Sequence, residues 1–268
     1  MARKITIGYE QRMFRCNNAR RLMPTLASNT MKKPMAQRKS DVASKLGYVS
    51  DRFQELIDEL YKGKSGSHEP AHLVHIASDI LATSRECFDY LGKDIVDLHI
   101  VPFTQNPKIK HKHASGKLRT YFPFHIEQLI KPKELFHELQ QTSPALYSDL
   151  ISFTESISNK ETIPNTLFKY ELFLDILNMV NEKKHNKLIA IVSESDQEYL
   201  VENKGFKMII PKKGQSGYTY FTVAPGSRVS CVAEYQFEYN YREVKEFCLF
   251  AHKATKLIIQ KFYIDHFQ

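Results

Sequence analysis

Between Val42 and Leu91 the chain carries two long apolar stripes at helical spacing, and no other feature restricts its folding as strongly. In the first, Val42, Leu46, Val49, Phe53, Leu56, Ile57 and Leu60 recur at steps of three and four, which places them on one helix face. In the second, Leu73, Ile76, Ile80, Ser84, Cys87, Phe88 and Leu91 do the same. Ser40 and Asp41 offer an N-cap, Gly63 ends the first helix, and Pro70 opens the second, where its missing N–H is harmless. Two such faces joined by a short Gly/Ser link predict an antiparallel helical hairpin. Gly92 is expected to end or thin the second helix.

Downstream, Val101 to Arg119 reads as a basic loop, followed by Tyr121-Phe122-Pro123-Phe124 and by short helical stretches near 126–140 and 144–156. A strong helix is expected from about Asn165 to Glu182, carried by Leu167, Phe168, Leu172, Ile176, Leu177 and Val180. Strands are expected at 188–192, 206–210, 218–223 and 229–239, with Gly205, Gly214, Gly217, Pro225 and Gly226 between them. A helix from Glu243 to about Phe267 closes the chain. The expected class is α+β, a helical bundle with a small antiparallel sheet inserted before a long C-terminal helix. The expected division is a basic irregular arm over 1–40 and a single helical domain over 41–268, with the β insert at about 188–239.

The charge is uneven. Residues 1–48 hold 11 Lys/Arg against 2 Asp/Glu, a local balance of +9, while the remaining 27 basic and 28 acidic residues nearly cancel. Such an arm suits a polyanion, nucleic acid or an anionic membrane surface, through Arg12, Arg15, Arg20 and Arg21. A solubilising tail and a mitochondrial transit peptide are the alternatives, though Glu10 and the Ile5–Ile7 alternation spoil the amphipathic helix of the latter. No run reaches the 18 or more apolar residues of a membrane span, and 1–30 lacks a secretory apolar region. Cys16, Cys87, Cys231 and Cys248 are widely spaced, which fits free thiols in a reducing cytoplasm better than a disulfide framework. The expected setting is therefore cytoplasmic, with no membrane partner.

No glycine-rich phosphate loop, Gly-x-Ser-x-Gly elbow or His-Glu-x-x-His is present. His111 and His113 lack a third ligand at metal spacing, so neither a metal nor a cofactor is expected. His72, His75 and Asp79 are read as a polar flank of the second helix. Arg85 and Asp89 form an i, i+4 pair whose burial would demand further partners. The cluster Lys108, Lys110, His111, Lys112, His113, Lys117 and Arg119 suits phosphate contacts, with nearby Tyr and Phe available to stack on bases. Asn181 to Lys187 supplies Lys184 and His185 at a helix C-terminus, where cations complement the dipole.

Three stretches, Thr83-Ser-Arg85-Glu-Cys-Phe88-Asp89-Tyr90, Tyr121-Phe122-Pro123-Phe124 and Asn181-Glu-Lys-Lys184-His185, resemble a group of uncharacterised bacterial proteins. That group carries Leu-Arg-x-x-Leu-Asp-His, Phe-Pro and Asn-x-x-Lys-His in the same order. The helix around Arg85 also resembles the arginine-to-histidine motif of HEPN ribonucleases, helical dimers of toxin–antitoxin and antiviral systems that cleave RNA without metal. Here Tyr90 stands where that motif has His, and tyrosine is a poor base near neutral pH. Arg119 and His125 match the spacing, but Pro123 lies between them. The resemblance implies a HEPN-like, nucleic-acid-binding protein, RNA before DNA, with a homodimer or a protein partner. The alternatives are a metal-independent ribonuclease using Arg85, Tyr90 and His185, and a protein-interaction subunit.

Overall fold

The computed structural model describes residues 35–62, 70–185, 189–203, 206–211 and 224–268. Helix α1 (Lys39–Lys62) and helix α2 (Pro70–Ile95) carry the two apolar stripes. Their cross-links run antiparallel: Arg38 to Asp94 at 2.9 Å, Lys45 to Glu86 at 2.7 Å and Arg52 to Asp79 at 3.1 Å. Val42, Val49 and Leu56 on one helix and Leu73, Ile76 and Ile80 on the other are all buried. Helix α1 starts two residues earlier than the Ser40–Asp41 cap suggests, because the Val42 N–H already donates to the Arg38 carbonyl at 2.9 Å.

Gly92 does not end α2 but lies within it. A Cβ there would stand 3.1 Å from the Phe122 nitrogen and 3.2 Å from its Cα. Glycine is what lets the 121–122 backbone lie directly on the helix. Past Ile95 the helix widens into a π-turn, Val96–Ile100.

The expected loop over 101–119 contains a helix, α3 (Pro107–Ala114). Pro107 occupies its first turn, and the Asn106 side chain caps it by accepting from the Lys108 N–H at 3.1 Å. A low share of apolar residues hid this helix, since none of its side chains is buried. After α3 come α4 (Glu127–Ile130), a 3₁₀ turn at Leu135–Glu138, α5 (Leu139–Thr142) and α6 (Pro144–Ser158).

Helix α7 (Leu172–His185) is shorter than the periodicity predicts. Residues before it form a tight loop, with Ile163 N–H donating to Phe168 O at 2.8 Å and Tyr170 N–H to Glu161 O at 2.9 Å. Asn165 adopts a left-handed φ of 61°, which an α-helix cannot contain and which Asn tolerates better than most residues. Leu167, expected on the buried face, is 97% exposed.

Helix α8 (Val244–His266) runs parallel to α2, tied by Ser84 Oγ donating to Ala251 O at 3.3 Å and Tyr263 OH to Asp94 at 3.0 Å. The centre of the core is aromatic. Phe88 of α2 lies 5.0 Å from Phe122, 5.1 Å from Phe124 and 5.2 Å from Phe173, ring to ring. Cys87 and Cys248 are buried free thiols, and burial pushes the Cys87 thiol up to about 12.

The α+β class is corrected to a predominantly helical one. Segments β1 (Ile191–Asn203), β2 (Phe206–Pro211) and β3 (Arg228–Phe237) pair antiparallel in the order β2-β1-β3. Helix-on-helix packing nevertheless builds the core. Among the described strand side chains, Ile191 and Phe237 are buried in it and Tyr235 packs against it. Alternating apolar and polar residues indicate extended backbone, but not that a sheet forms a layer of its own. The expected strand at 218–223 lies outside the described residues.

Candidate nucleic-acid interface

Helix α3 exists because Asn106 and Pro107 start it, and it stands out from the bundle because it has almost nothing apolar to bury. Lys108, Lys110 and Lys112 are exposed along it, and Lys117 and Arg119 are exposed in the segment that follows. None of these five cations has an ion-pair partner among the described residues. The segment folds back on the helix, with the N–H groups of Lys117 and Leu118 donating to Lys112 O at 2.8 and 3.1 Å. Phe103 on the entering side is 50% exposed and Tyr121 on the leaving side 52% exposed, so two half-open rings flank the cations.

One carboxylate fixes this helix to the bundle. Asp97, in the π-turn, accepts from His113 Nε2 at 2.8 Å and pairs with Arg38 at 2.8 Å. Arg38 also pairs with the fully buried Asp94. Burial opposes the charge on Arg38, yet its hydrogen bonds to Asp94 and Asp97 prevail and hold its pKa above the ordinary arginine value. The sequence singled out neither Asp94 nor Asp97. Their partners lie 56 residues away for Arg38–Asp94 and 16 for Asp97–His113, and no local pattern announces such pairs.

The three motif stretches do converge, around a buried Arg85 that reaches an exposed Asn181. Arg85 of α2 is only 6% exposed. Its Nη1 donates to Asn181 Oδ1 at 2.8 Å and, at 3.4 Å, to Leu177 O, both on α7, while its Nε lies 3.7 Å from Asp89. Asp89 in turn accepts from the Phe122 N–H at 3.4 Å. One polar network therefore ties α2, the 121–124 segment and α7 together. This is a structural arrangement first: Asn181 and Leu177 take up Nη1, and Asp89 supplies the opposite charge at 3.7 Å, while the buried Nε makes no hydrogen bond among the described residues.

Tyr90 points elsewhere. Five residues on from Arg85 is about 140° around the helix, and there Lys45 and Lys93 sit over its ring at 5.2 and 5.4 Å. Asp79 likewise faces α1, accepting from Arg52, so Asp79, Arg85 and Asp89 do not form one polar edge. His185 is one turn beyond Asn181 on α7, but its side chain and that of Lys184 lie outside the described residues, as do Arg12, Arg15, Arg20 and Arg21. His72 is 3.6 Å from Glu55 at the surface.

No group of three or more His, Cys, Asp or Glu among the described residues is placed to hold a metal ion. No described helix is long and apolar enough to cross a membrane. No protein family, curated protein or solved structure matches this chain.

Proposed function

We propose that this protein binds RNA through α3 and the 115–121 segment. The observation that carries the proposal is the set of five exposed cations, Lys108, Lys110, Lys112, Lys117 and Arg119, none with an acidic partner among the described residues. Unpaired cations at this density suit phosphates, whose contacts release counterions and give salt-sensitive, sequence-tolerant binding. Half-exposed Phe103 and Tyr121 suit unstacked bases. Asp97 adds a second element of support, because it anchors α3 beside Arg38, where the chain enters α1. On the HEPN resemblance, we further propose a bacterial defence or toxin–antitoxin setting, with a homodimer or a protein partner.

Ribonuclease action through Arg85, Tyr90 and His185 is the second reading. It is favoured by the Arg85–Asn181 bond, which brings Arg85 within a helical turn of the His185 position. Against it, the Arg85 guanidinium is engaged by protein groups and Tyr90 faces α1. Binding without cleavage at these residues is the better-supported reading.

The test is fluorescence anisotropy of a labelled RNA oligomer across salt concentrations, with the recovered RNA run on a gel. The expected result is intact RNA and an affinity that falls steeply with salt. Replacing Lys108, Lys110 and Lys112 by Ala should lower the log–log salt slope by about 2, the share of three single-strand phosphate contacts. Cut RNA would favour the ribonuclease, and no binding at low salt would sink both.

A further inference from the structure

Helix α3 is too short to hold itself together. Its 8 residues fall below the length at which an isolated helix is stable in water, about 12–15 residues. None of its side chains is buried, and Ile109 within it and Leu118 after it pack against the core in part. The array of cations on α3 therefore persists only while the ends of the helix are held.

The C-terminal end is closed by the turn at Gly116, whose φ of 66° suits glycine, and by the His113–Asp97 contact. The N-terminal end is held by a relay of three side chains. Asn106 Oδ1 accepts from the Lys108 N–H at 3.1 Å, which caps the first turn. The Asn106 N–H in turn donates to Thr104 Oγ1 at 3.1 Å. A threonine hydroxyl has one proton to give, and Thr104 donates it to Glu138 Oε2. With that proton committed to the carboxylate, the hydroxyl presents a lone pair to Asn106 and fixes the cap. Thr104 is 1% exposed, which shields the hydroxyl from competing water. Glu138 ends the 3₁₀ turn 34 residues further on, and its own carbonyl accepts from Thr142 Oγ1 at 3.1 Å. The relay thus ties α3 to a different part of the bundle from the one Asp97 supplies.

We propose that Glu138 is a positioning residue of the nucleic-acid interface: through Thr104 it orders the first turn of α3, and RNA affinity depends on that order. This rests on the reading of α3 as the RNA-binding element. The carboxylate has two effects on RNA, and they differ in sign. As a charge near the start of α3 it repels phosphate, so removing it strengthens binding. As the anchor of the relay it is required, so removing it weakens binding.

Three variants separate these effects. Glu138→Ala removes charge and acceptor together. Glu138→Gln removes the charge and keeps a carbonyl oxygen for the Thr104 hydroxyl, while Thr104→Val breaks the relay at unchanged net charge. Hydrogen exchange of the amides at 110–114 reads the order of α3 without RNA. Fluorescence anisotropy with a labelled RNA oligomer reads affinity, and urea unfolding checks that the bundle is kept. Glu138→Ala and Thr104→Val should exchange faster in α3 and bind RNA about fivefold more weakly, the equivalent of a lost helix cap. Glu138→Gln should restore protection and bind at least as well as the parent. Should Glu138→Ala unfold, Thr104→Val decides, since it swaps a buried hydroxyl for a methyl of similar size. Tighter binding by both Glu138 variants, or α3 exchange and RNA affinity in Thr104→Val equal to the parent's, overturns this proposal alone. A parent that binds no RNA at low salt overturns the RNA reading and this proposal with it.

Discussion

Arg85 and Asn181, 96 residues apart in sequence, meet at 2.8 Å with the guanidinium donating to the amide oxygen. This contact makes Arg85 a tie between α2 and α7. Asn181→Ala leaves a nearly buried guanidinium short of a partner and should cost about 1–3 kcal/mol. Arg85→Met should cost less than Arg85→Ala, since methionine fills the space without a charge to satisfy. Urea midpoints measure both, and RNA affinity of the folded variants should be unchanged. An Arg85→Met protein of unaltered stability that had lost RNA cutting would instead make Arg85 a catalytic group.

Asp94 is 0% exposed and accepts from Arg38 and from the Tyr263 hydroxyl at 3.0 Å. Burial, and then the carboxylate itself, push the Tyr263 phenol well above its usual pKa. Tyr263→Phe removes one of these bonds and should lower stability by about 1–2 kcal/mol. Asp94→Ala removes the acceptor of Tyr263 and one of the two carboxylates of Arg38, Asp97 keeping the other, and should cost more than Tyr263→Phe, about 2–3 kcal/mol. Thermal and denaturant unfolding of the two variants checks the ranking.

His99 is buried against Phe267, ring centroids 5.0 Å apart. Burial, with a smaller contribution from His266, lowers its pKa from 6.5 to about 4. Above pH 6.5 His99 is neutral folded or unfolded, so its contribution to stability is intact. Between pH 6.5 and about 4 the unfolded chain takes up a proton that the folded one refuses, and stability falls as the pH falls. Below about 4 that loss levels off. Carboxylates add their own acid sensitivity, so the measurement is the difference between the parent and His99→Gln: the variant should show the shallower decline across this window.

Phe88 touches Phe122, Phe124 and Phe173 at the centre of the bundle. Phe88→Ala should cost about 3–5 kcal/mol, the lost burial plus the cavity left behind. Leu167→Ala, at a side chain 97% exposed, should stay within about 0.5 kcal/mol of the parent. A periodic reading that buried Leu167 predicts a large loss there, so urea unfolding of these two variants separates the readings.

The apolar stripes of α1 and α2 were legible in the residues alone, because spacing of three and four dictates one buried face and a short link forces the two faces together. The same logic failed over 165–171, where Leu167 and Phe168 continue a helical period but Asn165 turns the backbone left-handed. It failed again at α3, a helix made by its cap and its proline rather than by an apolar face. The strand-like alternation over 229–239 pointed to an α+β class, whereas burial placed the core among the helices.

Local order therefore came from the sequence by itself: which stretches coil, which faces are apolar, and where the positive charge is concentrated. Tertiary structure alone decided which charges are available. Lys108, Lys110 and Lys112 read no differently from Arg38 and Arg85 as residues, yet the first three meet solvent while Arg38 meets Asp94 and Asp97 and Arg85 meets Asn181. Periodicity is set by neighbours three and four residues away. The pairing of a charge is set by whatever the fold brings beside it, here from 96 residues along the chain for Arg85 and from 169 for Asp94 and Tyr263.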